Sequence, residues 1–142
     1  MRPFHHVEAN SRSHSPLDSP RGTGHDPTYA REVLHDHLVL TQRGALETDI
    51  ARNFDPDCVP ITTYGNLHGH AGVREAAWLL ESQIGRGGYR YLNQQCHGEL
   101  AFLEWTADTE RAEIPDDADS YWIRDGAIRG MTIHYSVREK RE

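Results

Sequence analysis

Apolar residues recur at helical spacing in the first half of the chain and at strand spacing in the second, so helices come first and sheet afterwards. Asp26-Pro27 forms a helix start, with Asp as N-cap and Pro at the first helical position. Ala30, Val33, Leu34 and Leu38 then follow as one stripe up to Gly44. A second, short helix from Ala45 to Phe54 carries Leu46, Ile50 and Phe54 on one side. It stops before Asp55-Pro56, because the residue ahead of a proline avoids the helical region. Cys58 to Thr62 reads as a short strand, placed at a sheet edge by Pro60, which has no N–H to donate. After the turn-rich stretch Tyr64 to His70, the stripe Val73, Ala77, Leu80 and Ile84 predicts a third helix from Ala71 to Ile84, ended by Gly85-Arg86-Gly87-Gly88. From Tyr89 the period changes, giving candidate strands at 89–97, 100–108, 119–124 and 127–137. Asp125-Gly126, between the last two, is the dipeptide a type I′ hairpin demands. The order predicts an α+β fold in which a curved antiparallel sheet covers three helices.

Composition narrows the partners. The chain has 142 residues, enough for one domain with one core. Residues 1–26 mix Ser, Pro, Gly, His and Arg with few apolar residues and are expected to form a disordered tail, leaving a domain over 27–138 and a charged end at 139–142. The tail's charges balance, so the formal charge of −7 belongs to the folded part; it repels phosphate backbones and argues against nucleic acid. No apolar run suits a signal peptide or a membrane span. With Cys58 and Cys96 both in apolar stretches, reduced thiols in a cytoplasmic protein are expected.

Three segments carry a resemblance: Phe54-Asp55-Pro56-Asp57-Cys58-Val59, Leu67-His68-Gly69-His70-Ala71-Gly72-Val73-Arg74, and Asp119-Ser120-Tyr121-Trp122-Ile123-Arg124-Asp125-Gly126-Ala127-Ile128. With the order of elements, they resemble the nuclear-transport-factor-2-like superfamily, and within it the SnoaL-like, polyketide-cyclase-type branch. The resemblance implies a cone-shaped, cystatin-like α+β barrel, with a deep pocket open at one end and homodimers pairing through the outer sheet face. It also implies a small hydrophobic or aromatic ligand and no cofactor.

Along the strands Phe102, Glu104 and Thr106 share one face and Ala101, Leu103 and Trp105 the other, while Asp119, Tyr121 and Ile123 share a face of their own. By resemblance the Asp119 face lines the pocket, and Asp119 matches a position that often holds an acid. Glu104, flanked by apolar residues, is expected to join it, so two carboxyls would line one cavity, where burial keeps a carboxyl protonated toward neutral pH. The alternatives are a Glu104 paired with Arg90 or Arg124 and an Asp119 that caps a loop. His37 lies on the apolar stripe of the first helix. Counted from Gly44, it matches the place where ketosteroid-isomerase-like members hold an oxyanion-stabilising tyrosine; the alternative is a satisfied core histidine. The strand position that holds their general-base aspartate is Thr62 here, so acid–base work would move to Asp119, Glu104 or His37. Thr62 is still expected to touch the ligand, and Tyr64, Tyr91, Tyr121 and Tyr135 could supply hydroxyls and flat faces to it. In the last strand His134 and Tyr135 point to opposite faces, so only one sees the pocket.

No metal site is expected. His5-His6 has no third fixed ligand, and His68 and His70 sit in a Gly-rich loop without an acid or cysteine at short spacing. These features point to a cofactor-free acid–base cyclase, isomerase or dehydratase acting on a cyclic or aromatic carbonyl compound. The competing readings are a binding module without turnover and a homodimeric interaction domain with a filled pocket. Trp105 and Trp122, read as lying opposite Glu104 and Asp119, would supply the dimer face.

Overall fold

The computed structural model describes residues 27–141; the tail, with His5-His6 and the Asp26 cap, lies outside the described residues. Three helices, α1 (Pro27–Arg43), α2 (Leu46–Asn53) and α3 (Gly69–Ile84), pack on one side of a seven-stranded sheet. The stripe Ala30, Val33, Leu34 and Leu38 of α1 is buried against the sheet, and Gly44 turns the chain at φ 73°, a conformation glycine adopts without strain. Helix α2 ends at Asn53, one residue earlier than its pattern predicts, because Phe54 is already extended and pairs with Ile128.

The strands are β1 (Phe54–Thr62), β2 (Gly65–Asn66), β3 (Tyr89–His97), β4 (Leu100–Asp108), β5 (Ala112–Arg124), β6 (Ala127–His134) and β7 (Arg138–Glu139). They run in the order β2-β1-β6-β5-β4-β3, with β7 also paired to β5, and the sheet curves without closing. Strand β1 is an edge along most of its length, as Pro60 indicates, since β2 covers only Ile61 and Thr62. Its pairing with β6 is parallel, so the sheet is mixed and unclosed rather than an antiparallel barrel. Hairpin-linked strands must alternate in direction, but β1 reaches β6 only through most of the chain, and no local signal fixes its direction.

Strand β5 begins at Ala112, seven residues before its expected start. Trp105 pairs with Asp117 and Ala107 with Ile114, so Pro115 and Asp116 stand together opposite Thr106 as a bulge. The bulge accommodates a proline inside a strand and hides the alternation of Ala112 and Ile114 from a pattern reading. Between β5 and β6, Asp125 and Gly126 both take positive φ, 55° and 76°, as the expected hairpin turn requires. The last candidate strand breaks after His134 and resumes as β7, held by Arg138 on Glu113 at 2.7 Å.

One correction concerns β4. Ala101, Leu103, Trp105 and Ala107 face the helices and are buried, whereas Phe102, Glu104 and Thr106 face outward. Directly opposite residues of an antiparallel pair share a face, and Leu103 lies opposite Asp119 and Ala101 opposite Tyr121. Trp105 is therefore a core residue and not part of an outer patch. Trp122 does lie outside, 43% exposed, directly opposite Leu100 of β4 and with Phe102 next on the same face. Its indole donates to Glu99 at 2.9 Å and lies under the Arg124 guanidinium. Among the described residues no helix is long and apolar enough to cross a membrane.

Candidate active site

Because the sheet curves without closing, α1 fills only part of its concave side, and a cavity of about 490 Å³ remains between the helices and β3 to β6. That is a size suited to a small organic molecule. Leu38, Phe54, Val73, Leu80, Leu103 and Met131 make its walls mostly apolar. Two polar assemblies break that surface.

The first is on the sheet. Asp119 projects inward from β5 and is 8% exposed. Trp105 Nε1 donates to its Oδ1 at 3.1 Å, and the Tyr121 hydroxyl donates to its Oδ2 at 3.3 Å. Both donors are neutral. Burial pushes the carboxyl up to about 6; the Trp105 indole, His37 and Tyr121 pull the other way, and Asp117 adds a little upward pressure. Neither Arg90 nor Arg124 pairs with this carboxyl among the described residues, and Arg124 is engaged by Glu99 at 3.0 Å. Tyr121 is itself fully buried, and burial together with Asp119 raises its hydroxyl well above the ordinary value.

The second assembly is on the helices. His37, in the middle of α1, places Nδ1 2.7 Å from Asp49 Oδ2 of α2. The ring packs edgewise on Phe54 at 5.4 Å and on Tyr121 at 5.6 Å, so it sits between the two assemblies. A carboxylate can only accept, so Nδ1 carries a proton, and Nε2 has no protein partner among the described residues. His37 lines the cavity with its side chain 13% exposed.

The structure brings His37, Asp119, Tyr121, Tyr91 and Tyr135 to one cavity. Burial raises the Tyr135 hydroxyl to about 12, and its ring packs near Trp105. Tyr135 settles the choice in the last segment, for His134 is exposed with Nδ1 3.6 Å from Asp117. Three expected residues lie elsewhere. Glu104 faces outward and accepts from Asn93 at 3.2 Å, so the two-carboxyl pairing with Asp119 does not form. Thr62 donates to the Gly65 carbonyl and accepts from the Tyr64 amide, which makes it part of the β1–β2 turn. Tyr64 is exposed and accepts from Gln83 at 2.7 Å, in a shallow depression behind Tyr135.

Asp49 was not singled out by the sequence pattern, and Trp105 was expected on a dimer face rather than as a donor to Asp119. A signal existed for Asp49: it shares the stripe Leu46, Asp49, Ile50 and Asn53, the inward side of α2. His70 donates to the Phe54 carbonyl at 2.8 Å, and among the described residues no three metal-ligating side chains gather.

No protein-family profile and no curated protein matches the chain. Solved structures do. A proposed ketosteroid isomerase from Kribbella flavida DSM 17836 superposes with TM-score 0.66 at 15% identity, over 83% of this chain and 84% of that one. A proposed polyketide cyclase from Sinorhizobium meliloti gives TM-score 0.60 at 14% identity, over 84% and 99%. TerC, co-crystallised with polyporic acid, gives 0.61 at 18% identity, over 76% and 92%. At such identities the likeness is one of fold.

Trp105→Phe keeps most of the ring volume and removes the Nε1–H. The lost bond goes to a carboxylate, so its cost follows the charge: about 1.5–3 kcal/mol of stability near pH 8, and distinctly less near pH 4.5, where the acid is neutral. Urea unfolding of both proteins at the two pH values checks this. Equal losses at both would contradict the assignment.

Proposed function

Starting from a chain with the nuclear-transport-factor-2-like fold, we propose that it is a SnoaL-like pocket protein of the polyketide-cyclase type. In this reading it acts as a cofactor-free acid–base catalyst, a cyclase, isomerase or dehydratase, on a small cyclic or aromatic carbonyl compound. One observation carries the proposal: a carboxyl held near neutral pKa by burial inside an apolar cavity, bound only by neutral donors. An acid with that poise takes and returns protons at ordinary pH.

In the proposed reaction the Asp119 carboxylate removes a proton from the carbon beside a carbonyl. The C–H electron pair moves onto the carbonyl oxygen as an enolate. Tyr121 is committed to Asp119 and the Tyr91 hydroxyl to the Leu38 carbonyl, and we assign that oxygen to Nε2 of His37, which faces the cavity and donates when it carries a proton. Return of the proton from Asp119 to another carbon gives an isomer; attack by the enolate carbon on a second carbonyl, whose oxygen takes the proton from Asp119, gives a ring; and departure of a β-hydroxyl as water, with the proton from Asp119, gives dehydration. Thr62 takes no part, which sets this scheme apart from a steroid-type isomerisation with the usual base. Proposed polyketide cyclases among the structural neighbours, and a neighbour crystallised with a small molecule, support this choice. The open cavity counts against a filled interaction domain.

We further propose that the outer patch around Trp122 pairs two copies. Light scattering at micromolar concentration should give the mass of a dimer and, for Trp122→Glu, that of a monomer; a monomeric parent protein would contradict it.

Asp119→Asn tests the catalytic reading. The folded-state pKa is raised from 3.8 to about 6. Stability from the neutral acid is therefore complete below pH 3.8 and is lost as pH rises through about 6. The shift corresponds to about 3 kcal/mol at 1.36 kcal/mol per unit. Above that window the Asn variant should be as stable as the parent or more so, and the advantage should vanish near pH 4. Turnover should fall about a hundredfold or more while ligand binding survives. Lower stability with unchanged ligand affinity would sink the reading, and binding without turnover in the parent would favour a binding module.

A further inference from the structure

Asn53 is the last residue of α2, one turn beyond Asp49, and both are almost fully buried. Its Nδ2 donates to two carboxylates, Asp49 Oδ1 at 3.0 Å and Asp36 Oδ2 at 2.8 Å. Asp36 in turn takes two bonds from the Arg52 guanidinium, at 2.9 and 2.8 Å, and that cation holds its carboxyl down at about 2. A relay thus runs from a half-exposed arginine through Asp36, Asn53 and Asp49 to Nδ1 of His37, and ends at Nε2 in the cavity.

The arrangement is a poor device for stability alone. Asn53 Oδ1 is buried with no partner, and turning the amide over would set that oxygen against two carboxylates. Apolar side chains of similar volume would join α1 to α2 without an orphaned acceptor or a buried acid. What the amide does supply is orientation. With Oδ1 of Asp49 tied to Asn53, Oδ2 is the oxygen that meets His37.

We propose that Asn53 is a positioning residue: by fixing the Asp49 carboxylate it keeps the His37 proton on Nδ1, so that Nε2 is the nitrogen that gains and loses a proton in the cavity. Asp49 acts as the immediate acceptor, and the surface pair Asp36–Arg52 keeps the far end of the amide engaged. Without the amide, Asp49 is free to rotate toward solvent or toward other donors, and the ring samples both tautomers. The inference rests on the acid–base role given to His37, but the two fail separately.

The test is ring-nitrogen NMR on histidine-labelled full-length protein in mildly alkaline solution, where imidazoles are neutral. In the parent, His37 should show a protonated Nδ1 and an unprotonated Nε2 with widely separated resonances. In Asn53→Ala the two resonances should move toward each other as the Nε2–H tautomer becomes populated, and turnover should drop about tenfold, as it does when an outer partner of a functional histidine is removed. If Asn53→Ala does not fold, Asn53→Ser, which keeps one donor for one carboxylate at a time, should show the same movement at smaller amplitude. A parent His37 with its proton on Nε2, or identical spectra in the parent and whichever variant folds, overturns the proposal. His37→Gln with unchanged turnover would instead overturn the catalytic reading and leave the tautomer assignment standing.

Discussion

A sheet that bends around one helix and stops before closing leaves a space that neither layer fills, and the Asp119 carboxyl is committed to that space. Its strand is fixed on both sides, by β4 through the Leu103 and Ala101 pairings and by β6 through Ile133 and Met131. It cannot turn to water without a one-residue slip that would also expose Tyr121 and Ile123. Desolvation of the acid is thus imposed by the packing of Tyr121, Ile123 and Leu103, each 2% exposed. Two neutral donors compensate it in part. They satisfy the carboxyl without neutralising it, which leaves a group able to titrate near neutral pH. A guanidinium at the same place would have held the acid permanently ionised, as Arg52 does for Asp36.

The helices and hairpins were legible because their signals are local. Pro27, Gly44 and the glycines after Ile84 mark helix ends, Asp125-Gly126 marks a turn, and β3 and β4 occupy the segments where the period changes. His37 could be placed because it lies in a stripe with clear apolar neighbours, whereas the inward side of Asp119 and Tyr121 was expected from the family resemblance. The phase of β4 could not. Its two faces, Leu100, Phe102 and Glu104 against Ala101, Leu103 and Trp105, are almost equally apolar because the outer surface is itself apolar. Only the register with β5 decides between them, and a bulge at Pro115 obscures that register. Long-range choices such as the parallel β1–β6 pairing have no local signal at all.

Asp49 and Asn53 show a different kind of illegibility. Both sit on the buried stripe of an eight-residue helix, where a polar residue reads as an exception to amphipathicity. Their purpose becomes visible only when Asp36 and His37, from another helix, stand beside them. Sheet and helices then contribute opposite halves of one site: a carboxyl made neutral-prone by burial on one wall, and an imidazole oriented by a carboxylate on the other. His37 touches Tyr121, and Tyr121 touches Asp119, so the two halves are in direct contact. The fold itself hosts many activities, and it is this pairing that gives the chain a chemical character of its own.

The claim on which all this depends is that the Asp119 carboxyl is a buried acid poised near neutrality. Carbon NMR titration of the side-chain carboxyls of the aspartate-labelled protein, with Asp119→Asn used to assign the resonance, measures it directly. The account predicts that the Asp119 signal titrates with a midpoint about 6, clearly above the ordinary 3.8. A midpoint at or below 3.8 would mean a solvated or ion-paired carboxylate and would contradict it.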